Sequence, residues 1–269
     1  MKQIYILLFI SLSYSQNIQV HSKYKLSFNL PVFGTFNTTY NQTIAPGLFK
    51  MDEKTEASRF YARWLMNEEV GEIIMKDLNH IIKYNKEDKE YWFESPDDYF
   101  KEPDTTSQKS YSYSIGASSD DSDNSKLNVT RTGGKEIETL HGFRTKKWIT
   151  TLTFPKNKMI FEEWYVDQLP LMTLSDSLEK NIKTNLHPLR ESYNVDHSEF
   201  SSNILLSEMD SLTTLDPIDG YNVKMNLLIY EGKKTPNVTI SFELLELYAE
   251  PIDTSNFIVP NDYEKIEID

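Results

Sequence analysis

The sequence predicts a mainly β protein, in which an antiparallel sheet is accompanied by a few short helices. Three observations support this fold class. Aromatic residues make up 13% of the chain, several segments alternate apolar and polar residues, and turn-forming residues separate those segments. Only 9 of the 269 residues are glycine, and we find no repeat of fixed period, which disfavours propellers and solenoids. We therefore expect one core.

Alternation predicts the first strands. Residues 24–30 carry apolar side chains at even positions with polar ones between them, and Pro31 ends the segment. Residues 33–40 form a second strand that can pair back on the first, and residues 60–66 alternate in the same way. The N-terminal part is therefore expected to be all β.

Hairpins are predicted in the middle of the chain. Residues 73–84 are β-rich, residues 85–88 form a polar turn, and residues 91–93 return as the second strand of a hairpin. Residues 127–132 form another strand, for which we expect a turn at Gly133-Gly134.

The clearest hairpin follows. Residues 143–154 and residues 159–166 form its strands, and residues 155–158 form its turn. Beyond Pro170 the pattern becomes helical, since residues 175–186 have apolar positions at helical spacing after Ser175, a plausible N-cap.

A second short helix is predicted after Ser198 or Ser201. The C-terminal part then returns to strands, at residues 221–229 and from Val238 onwards, with a turn near Gly232. The apolar phase slips at Leu244-Leu245, which predicts a bulge or a strong bend.

Residues 1–15 have the features of an export signal: Lys2 precedes an apolar run, and Ser13 and Ser15 are small residues before a cleavage site. The run is too short to span a bilayer, so we expect no stable membrane insertion. The mature chain is then a single domain, residues 16–269, located in the periplasm or outside the cell. The absence of cysteine excludes a lipidated N-terminal cysteine, disulfides and thiolate metal sites.

The net charge of the chain disfavours nucleic acids as partners. Lys and Arg number 28 against 41 Asp and Glu, a formal net charge of −13, which repels the phosphate backbone of nucleic acids. Residues 102–125 are polar and rich in serine and aspartate, and we expect a flexible acidic loop there. Asp121 and Asp123 do not make a calcium loop, because Lys126 occupies the glycine position of an EF-hand.

Motifs for catalysis are absent. The sequence has no GxSxG, Walker or GxGxxG motif and no paired histidines of the HExxH type. His187, His197 and Asp196 could converge on a metal, but surface histidines are the favoured interpretation. The adjacent Glu162 and Glu163 suggest a glycosidase pair, yet neighbours in a strand point to opposite faces. We expect one to point outwards and the other to lie near a sheet edge.

Aromatic residues are the remaining candidates for a site. Trp64, Trp92, Trp148 and Trp164 lie on separate predicted strands, where most tryptophans belong to the core. The alternative is a curved sheet whose concave face holds an apolar ligand. The predicted ligand-binding residues are Trp64, Trp148, Trp164, Met225 and Phe242, with no catalytic residue, metal or cofactor.

Four segments in order carry a resemblance to known proteins. They are GEIIMKDLNHIIKYNKEDKEYWFES from Gly71, TGGKEIETLHGFRTKKW from Thr132, EEWYVDQLP from Glu162 and DGYNVKMNL from Asp219. They resemble a family of uncharacterised secreted bacterial proteins that is similar to the lipoprotein-carrier half-barrels of the LolA, LolB and LppX type. The resemblance implies a strongly bent antiparallel sheet wrapped around short helices, with an apolar hollow between them.

Three hypotheses about function follow. The first is an exported, monomeric carrier that binds an apolar small molecule, a lipid or a lipoprotein acyl chain, and is not an enzyme. The second is a structural or interaction protein of the cell envelope or exterior, with a filled core. The third is a hydrolase built on scattered carboxylates, which no motif supports.

Overall fold

The computed structural model describes residues 17–31, 33–60, 67–78, 80–101, 127–186, 201–203 and 215–267. Within these residues, twelve strands form one sheet. The strands are β1 Ile18–Leu30, β2 Gly34–Ala45, β3 Leu48–Ala57, β4 Glu68–Met75, β5 Ile81–Asn85, β6 Glu90–Glu94, β7 Asn128–Leu140, β8 Phe143–Thr153, β9 Asn157–Val166, β10 Tyr221–Glu231, β11 Val238–Pro251 and β12 Glu264–Lys265. The sheet confirms the predicted fold class, a curved and mainly antiparallel sheet with few helices.

The sheet consists of two meanders joined at one seam. Its strand order is β12-β6-β5-β4-β3-β2-β1-β11-β10-β9-β8-β7. Within β1 to β6 and within β7 to β11, each strand pairs antiparallel with the next strand in sequence. The antiparallel pair β1–β11 joins the two meanders, and only the short β12 pairs parallel, with β6. The N- and C-terminal parts of the described chain therefore meet at the centre of the sheet.

Two α-helices and one 3₁₀ helix, Thr254–Phe257, have both ends within the described residues. The short helix α1, Pro96–Tyr99, is capped by Ser95, whose hydroxyl accepts a hydrogen bond from the Asp98 N–H. The long helix α2, Pro170–Leu186, packs against β1, β2, β3 and β11. We call the face of the sheet that α2 covers the inner face.

Helix α2 begins five residues before the predicted start. Proline at the first helical position is favoured because its missing N–H would have no partner there. Ser175 is buried inside the helix and does not cap it, so that prediction was wrong. Ile182 is buried and belongs to one apolar cluster with Val20 of β1 and Ile44 of β2. The helix predicted after Ser198 or Ser201 lies mostly outside the described residues.

The predicted phase slip in β11 is confirmed as a bulge. Leu244 lies opposite Tyr24 and Glu246 lies opposite Lys23, so Leu245 is the extra residue in the β1–β11 ladder. The bulge returns Leu247 to the inner face, opposite Ser22. The break in the alternation of apolar residues therefore indicated a real change in strand geometry.

The turn predicted at Gly133-Gly134 was wrong. Strand β7 continues through both glycines to Leu140, with an irregularity between Gly133 and Ile137, and the turn to β8 lies at His141-Gly142. The φ angles of the two glycines are 116° and 76°, values that suit a bulge as well as a turn. The glycine pair correctly indicated an unusual backbone conformation, but this conformation belongs to an irregularity within β7 and not to a turn.

Strand β3 was missing from the prediction. It pairs with β2 and β4 along its length, yet its charged residues obscure the alternation in the sequence. The interval 73–84 contains the end of β4, a turn and most of β5, as its β-rich character indicated. Of the segment predicted as a strand at residues 60–66, Phe60 lies outside the sheet and residues 61–66 are outside the described part.

Candidate functional site

Three rows of side chains cross the inner face away from α2. Residues directly opposite each other in antiparallel strands project from the same face. The first row is Phe36, Phe28, Ile240, Leu227 and Phe161. The second row is Leu26, Phe242, Met225, Glu163 and Trp148. The third row is Val238, Ile229, Met159, Leu152 and Val129. We call these rows the apolar face.

The apolar face is buried at one side and partly open at the other. Met159, Phe161 and Met225 are almost fully buried, in a cluster that contains no α2 residue. Nearer the seam between the meanders, Val238 and Phe36 are buried but most side chains are only half-buried. The half-buried residues are Leu26, Phe28, Leu227, Ile229, Ile240 and Phe242. At 4.8 Å per strand, a row across five strands extends roughly 19 Å. The apolar face is therefore large enough for an elongated apolar group.

The structure brings three of the five predicted ligand-binding residues together. Trp148, Met225 and Phe242 all belong to the second row. Trp164 lies opposite Lys147 and Lys224, on the outer face, so it does not share a surface with Trp148. Trp64 is outside the described residues.

Trp164 has its own surroundings on the outer face. Its ring centroid lies 4.5 Å from Lys147 Nζ and 5.3 Å from Lys224 Nζ, and its indole N–H donates a hydrogen bond to the Glu138 carboxylate. The end of the β7–β8 hairpin also covers it, since Leu140 and Phe143 pack against its cluster. These contacts account for the burial of Trp164 without a ligand.

Glu163 is the one charged residue in the three rows. Its side chain is fully buried, and its carboxylate accepts hydrogen bonds from Ser202 N (2.8 Å), Ser202 Oγ (2.5 Å) and Tyr165 Oη (3.2 Å). Burial raises the pKa of Glu163, while the bonds from Ser202 and Tyr165 and the charge of Arg131 oppose that increase. The carboxylate thus ties residues 201–203 to the inner face.

The prediction for the two adjacent glutamates was half right. Glu162 and Glu163 do point to opposite faces, and Glu162 lies 3.4 Å from Lys147 Nζ on the outer face. Glu163 is not near a sheet edge, because β9 lies between β8 and β10. A carboxylate can be buried there because the chain around Ser202 supplies donors, which the local sequence of β9 cannot reveal.

Arg131 of β7 binds a second segment of the chain, the one that contains Asp216. Its guanidinium donates to Thr150 Oγ1 (3.0 Å), to the Asp216 carbonyl oxygen (2.5 Å) and, more weakly, to Ser202 Oγ (3.4 Å). Burial lowers the pKa of Arg131, and the charge of Glu163 opposes this effect. Arg131 and Glu163 together hold residues 201–203 and 215–219 against β7, β8 and β9.

A cavity of about 620 Å³ lies beside this network. We call it the Trp148 pocket; it is lined by Arg131, Lys146, Trp148, Tyr165, Asp167, Leu215, Asp216, Pro217, Ile218 and Asp219. Aromatic and apolar groups, two cationic side chains and three carboxylates thus surround one space. Sequence reasoning found Trp148 but missed the charged residues, because they converge from β7, β8, the end of β9 and the segment before β10.

A second cavity, of about 380 Å³, lies on the other meander. It is lined by four glutamates, Lys83 and Trp92, with Glu72 bound to Lys83 Nζ at 2.5 Å. Burial raises the pKa of both Glu53 and Glu94 there. Within the described ranges, no group of three or more His, Cys, Asp or Glu residues is arranged to hold a metal. The candidate His187–His197 site lies outside those ranges.

Comparisons with known proteins give limited information. No family model matches the chain, and no curated protein sequence matches it. Among solved structures, it is similar to a crystal structure of a LolA superfamily protein from Nitrosomonas europaea, with 6% sequence identity, 91% of this chain and 90% of that chain covered, and a TM-score of 0.23. None of the helices in the described ranges has the length and apolar character needed to cross a membrane.

Proposed function

We propose that this protein is an exported carrier, not an enzyme, which holds the apolar chain of a lipid or of an acylated molecule against the apolar face. One observation supports this most strongly: half-buried apolar side chains continue across neighbouring strands where α2 does not cover them. Phe28, Leu227 and Ile229 belong to no cluster that contains an α2 residue. Burial of each methylene group against such a surface stabilises the complex by about 0.8 kcal/mol.

The proposed location follows from the leader. Residues 1–15 direct export to the periplasm or the exterior, where a soluble carrier keeps acyl chains out of water. A lipoprotein acyl chain and a free lipid present the same chemistry to the apolar face. The carrier works as a monomer that encloses its ligand and needs no cofactor.

Two neighbouring residues of β10 provide a matched test. Leu227 lies on the apolar face, opposite Ile240 and Phe161, whereas Leu228 lies on the outer face, opposite Thr239 and Ile160; both are half-buried. We expect Leu227→Lys to weaken binding of a fluorescent fatty acid at least about tenfold, because the ammonium group cannot be buried among apolar chains. Leu228→Lys should bind as the wild type does.

The measurement is a titration of each purified variant, with circular dichroism to confirm that both remain folded. Lipid extraction and mass spectrometry of the wild-type protein from its native compartment complete the test. Equal affinities of the two variants, or no saturable binding of any acyl probe by the wild type, would contradict the proposal.

A second candidate function rests on the part of the interior that is filled by side chains. Under α2 the interior is filled, because Met172 and Ile182 are buried against β1, β2 and β11. A protein filled throughout would act as an interaction module of the envelope. Absence of bound lipid, together with recovery of one defined protein partner, would favour this second function.

A further inference from the structure

We propose that the Trp148 pocket binds a zwitterionic headgroup, with one phosphate and one ammonium group, of a lipid whose acyl chains lie on the apolar face. This inference rests on the proposed carrier function and names the class of lipid. Two observations support it: the pocket adjoins the apolar face, and side chains of both charges line the pocket together with the aromatic rings of Trp148 and Tyr165.

The pocket adjoins the apolar face. Trp148 lines the pocket and is also the last member of the second row, directly opposite Glu163. Leu215 lines the pocket and packs against the buried cluster of Leu152, Met159, Phe161 and Met225. A molecule with acyl chains along the rows can therefore place its polar end in the pocket.

Arg131 and Lys146 are the pocket residues suited to a phosphate. Three of the five N–H donors of Arg131 have partners among the described residues, which fixes the plane of the guanidinium and leaves donors for a ligand. Lys146 Nζ contacts both carboxylate oxygens of Asp167 at 2.8 Å, with 37% and 70% of the two side chains exposed. Exposed ion pairs contribute only about 0–1 kcal/mol, so a phosphate can replace Asp167.

The carboxylates and aromatic rings of the pocket are suited to an ammonium group. Asp216 and Asp219 are exposed and line the same cavity as Trp148 and Tyr165. Carboxylates attract an ammonium group, and the faces of aromatic rings attract it through their negative quadrupole. The carboxylates would repel a purely anionic headgroup. An uncharged headgroup would form ion pairs with neither the cationic side chains nor the carboxylates. A headgroup with both signs matches the pocket.

Gly134 determines where the Trp148 ring lies beside the pocket. An added Cβ at Gly134 would lie 2.2 Å from Cζ2 of Trp148, so the indole rests directly against the glycine backbone. The glycine pair that the sequence suggested as a turn instead gives Trp148 the space it occupies beside the pocket.

The experiment compares three lipids with identical dioleoyl chains: phosphatidylethanolamine, phosphatidylglycerol and diacylglycerol. We expect wild-type protein to bind phosphatidylethanolamine about tenfold more tightly than either of the others, a factor that corresponds to about 1.4 kcal/mol. Lys146→Gln should reduce the preference over diacylglycerol to about threefold or less but not the preference over phosphatidylglycerol, which carries the same phosphate. Asp219→Asn should reduce the preference over both to about threefold or less, and diacylglycerol binding should stay unchanged in both variants. Lys147→Gln, which alters the next residue of β8 on the outer face, should keep the full preference.

The outcomes separate the two proposals. Equal binding of the three lipids, or preference for phosphatidylglycerol, overturns the headgroup inference and leaves the carrier function standing. No binding of any of the three, diacylglycerol included, overturns the carrier function as well. Free phosphoethanolamine that binds as tightly as the lipid would show that the pocket serves a small soluble molecule, which also overturns the inference.

Discussion

The interior under α2 and the apolar face belong to one sheet and are built differently. Under α2, helix side chains fill the space, and polar groups tie the helix to the strands: Glu179 accepts a hydrogen bond from Gln42 Nε2 (3.0 Å) and pairs with Lys183 (2.6 Å). Across the apolar face no α2 residue reaches Phe28 or Leu227. The same alternation of residues thus produces a filled interior in one region and a half-buried surface in the other.

This difference shows what alternation can and cannot indicate. It predicts which side chains share a face, because the period of two is a property of the strand itself. Whether that face is filled depends on where a distant helix packs. Substitutions in the two regions should therefore differ in their cost to stability.

The largest effect is expected from Ile182→Ala. Ile182 is 1% exposed in the core under α2, and loss of its side chain leaves a cavity that should reduce the free energy of unfolding by about 4 kcal/mol. Leu227→Ala, on the half-buried face, should reduce it by about 1 kcal/mol. Urea denaturation followed by circular dichroism measures both. Equal losses would mean that the two regions are packed alike.

A smaller effect is expected from Gly134→Ala. Gly134 and Gly142 both have positive φ angles, 76° and 87°, but an added Cβ meets the Trp148 ring at Gly134 and nothing within 4 Å at Gly142. Both substitutions carry the backbone cost of about 1 kcal/mol. Gly134→Ala should lose about 2 kcal/mol more, because the indole has to move.

Denaturation of the two glycine variants separates these contributions, and a change in tryptophan fluorescence in Gly134→Ala that is absent in Gly142→Ala reports movement of the Trp148 ring. A change in stability that is the same at both positions would contradict the contact between Gly134 and Trp148.

Local patterns predicted much of the fold. The alternation in β1, β10 and β11, the turn before β9 and the bulge at Leu245 all follow from adjacent residues, and the structure confirms them. The candidate site was harder to predict, because the faces of Trp148 and Trp164 depend on the register of the β8–β9 hairpin. A shift of one residue there would reverse them. Ser202, which hydrogen-bonds Glu163, and Asp216, which lines the same pocket as Trp148, come from distant segments that no local pattern connects.

Glu163 provides the last comparison, since it places a buried charge within the apolar face. Glu163→Gln puts an amide where two donors from Ser202 point at a carboxylate oxygen each, and we expect a loss of about 2 kcal/mol at pH 7. The pKa of Glu163 is raised in the folded protein, so the folded state retains a proton that the unfolded state releases, and the contribution of this group falls as pH rises. The wild type should therefore gain stability relative to Glu163→Gln as pH is lowered from 7 towards 4.5. Denaturation curves of both proteins at three pH values in that interval test the sign, and a constant or shrinking difference towards low pH would show that the carboxylate is not held in a site that opposes its charge.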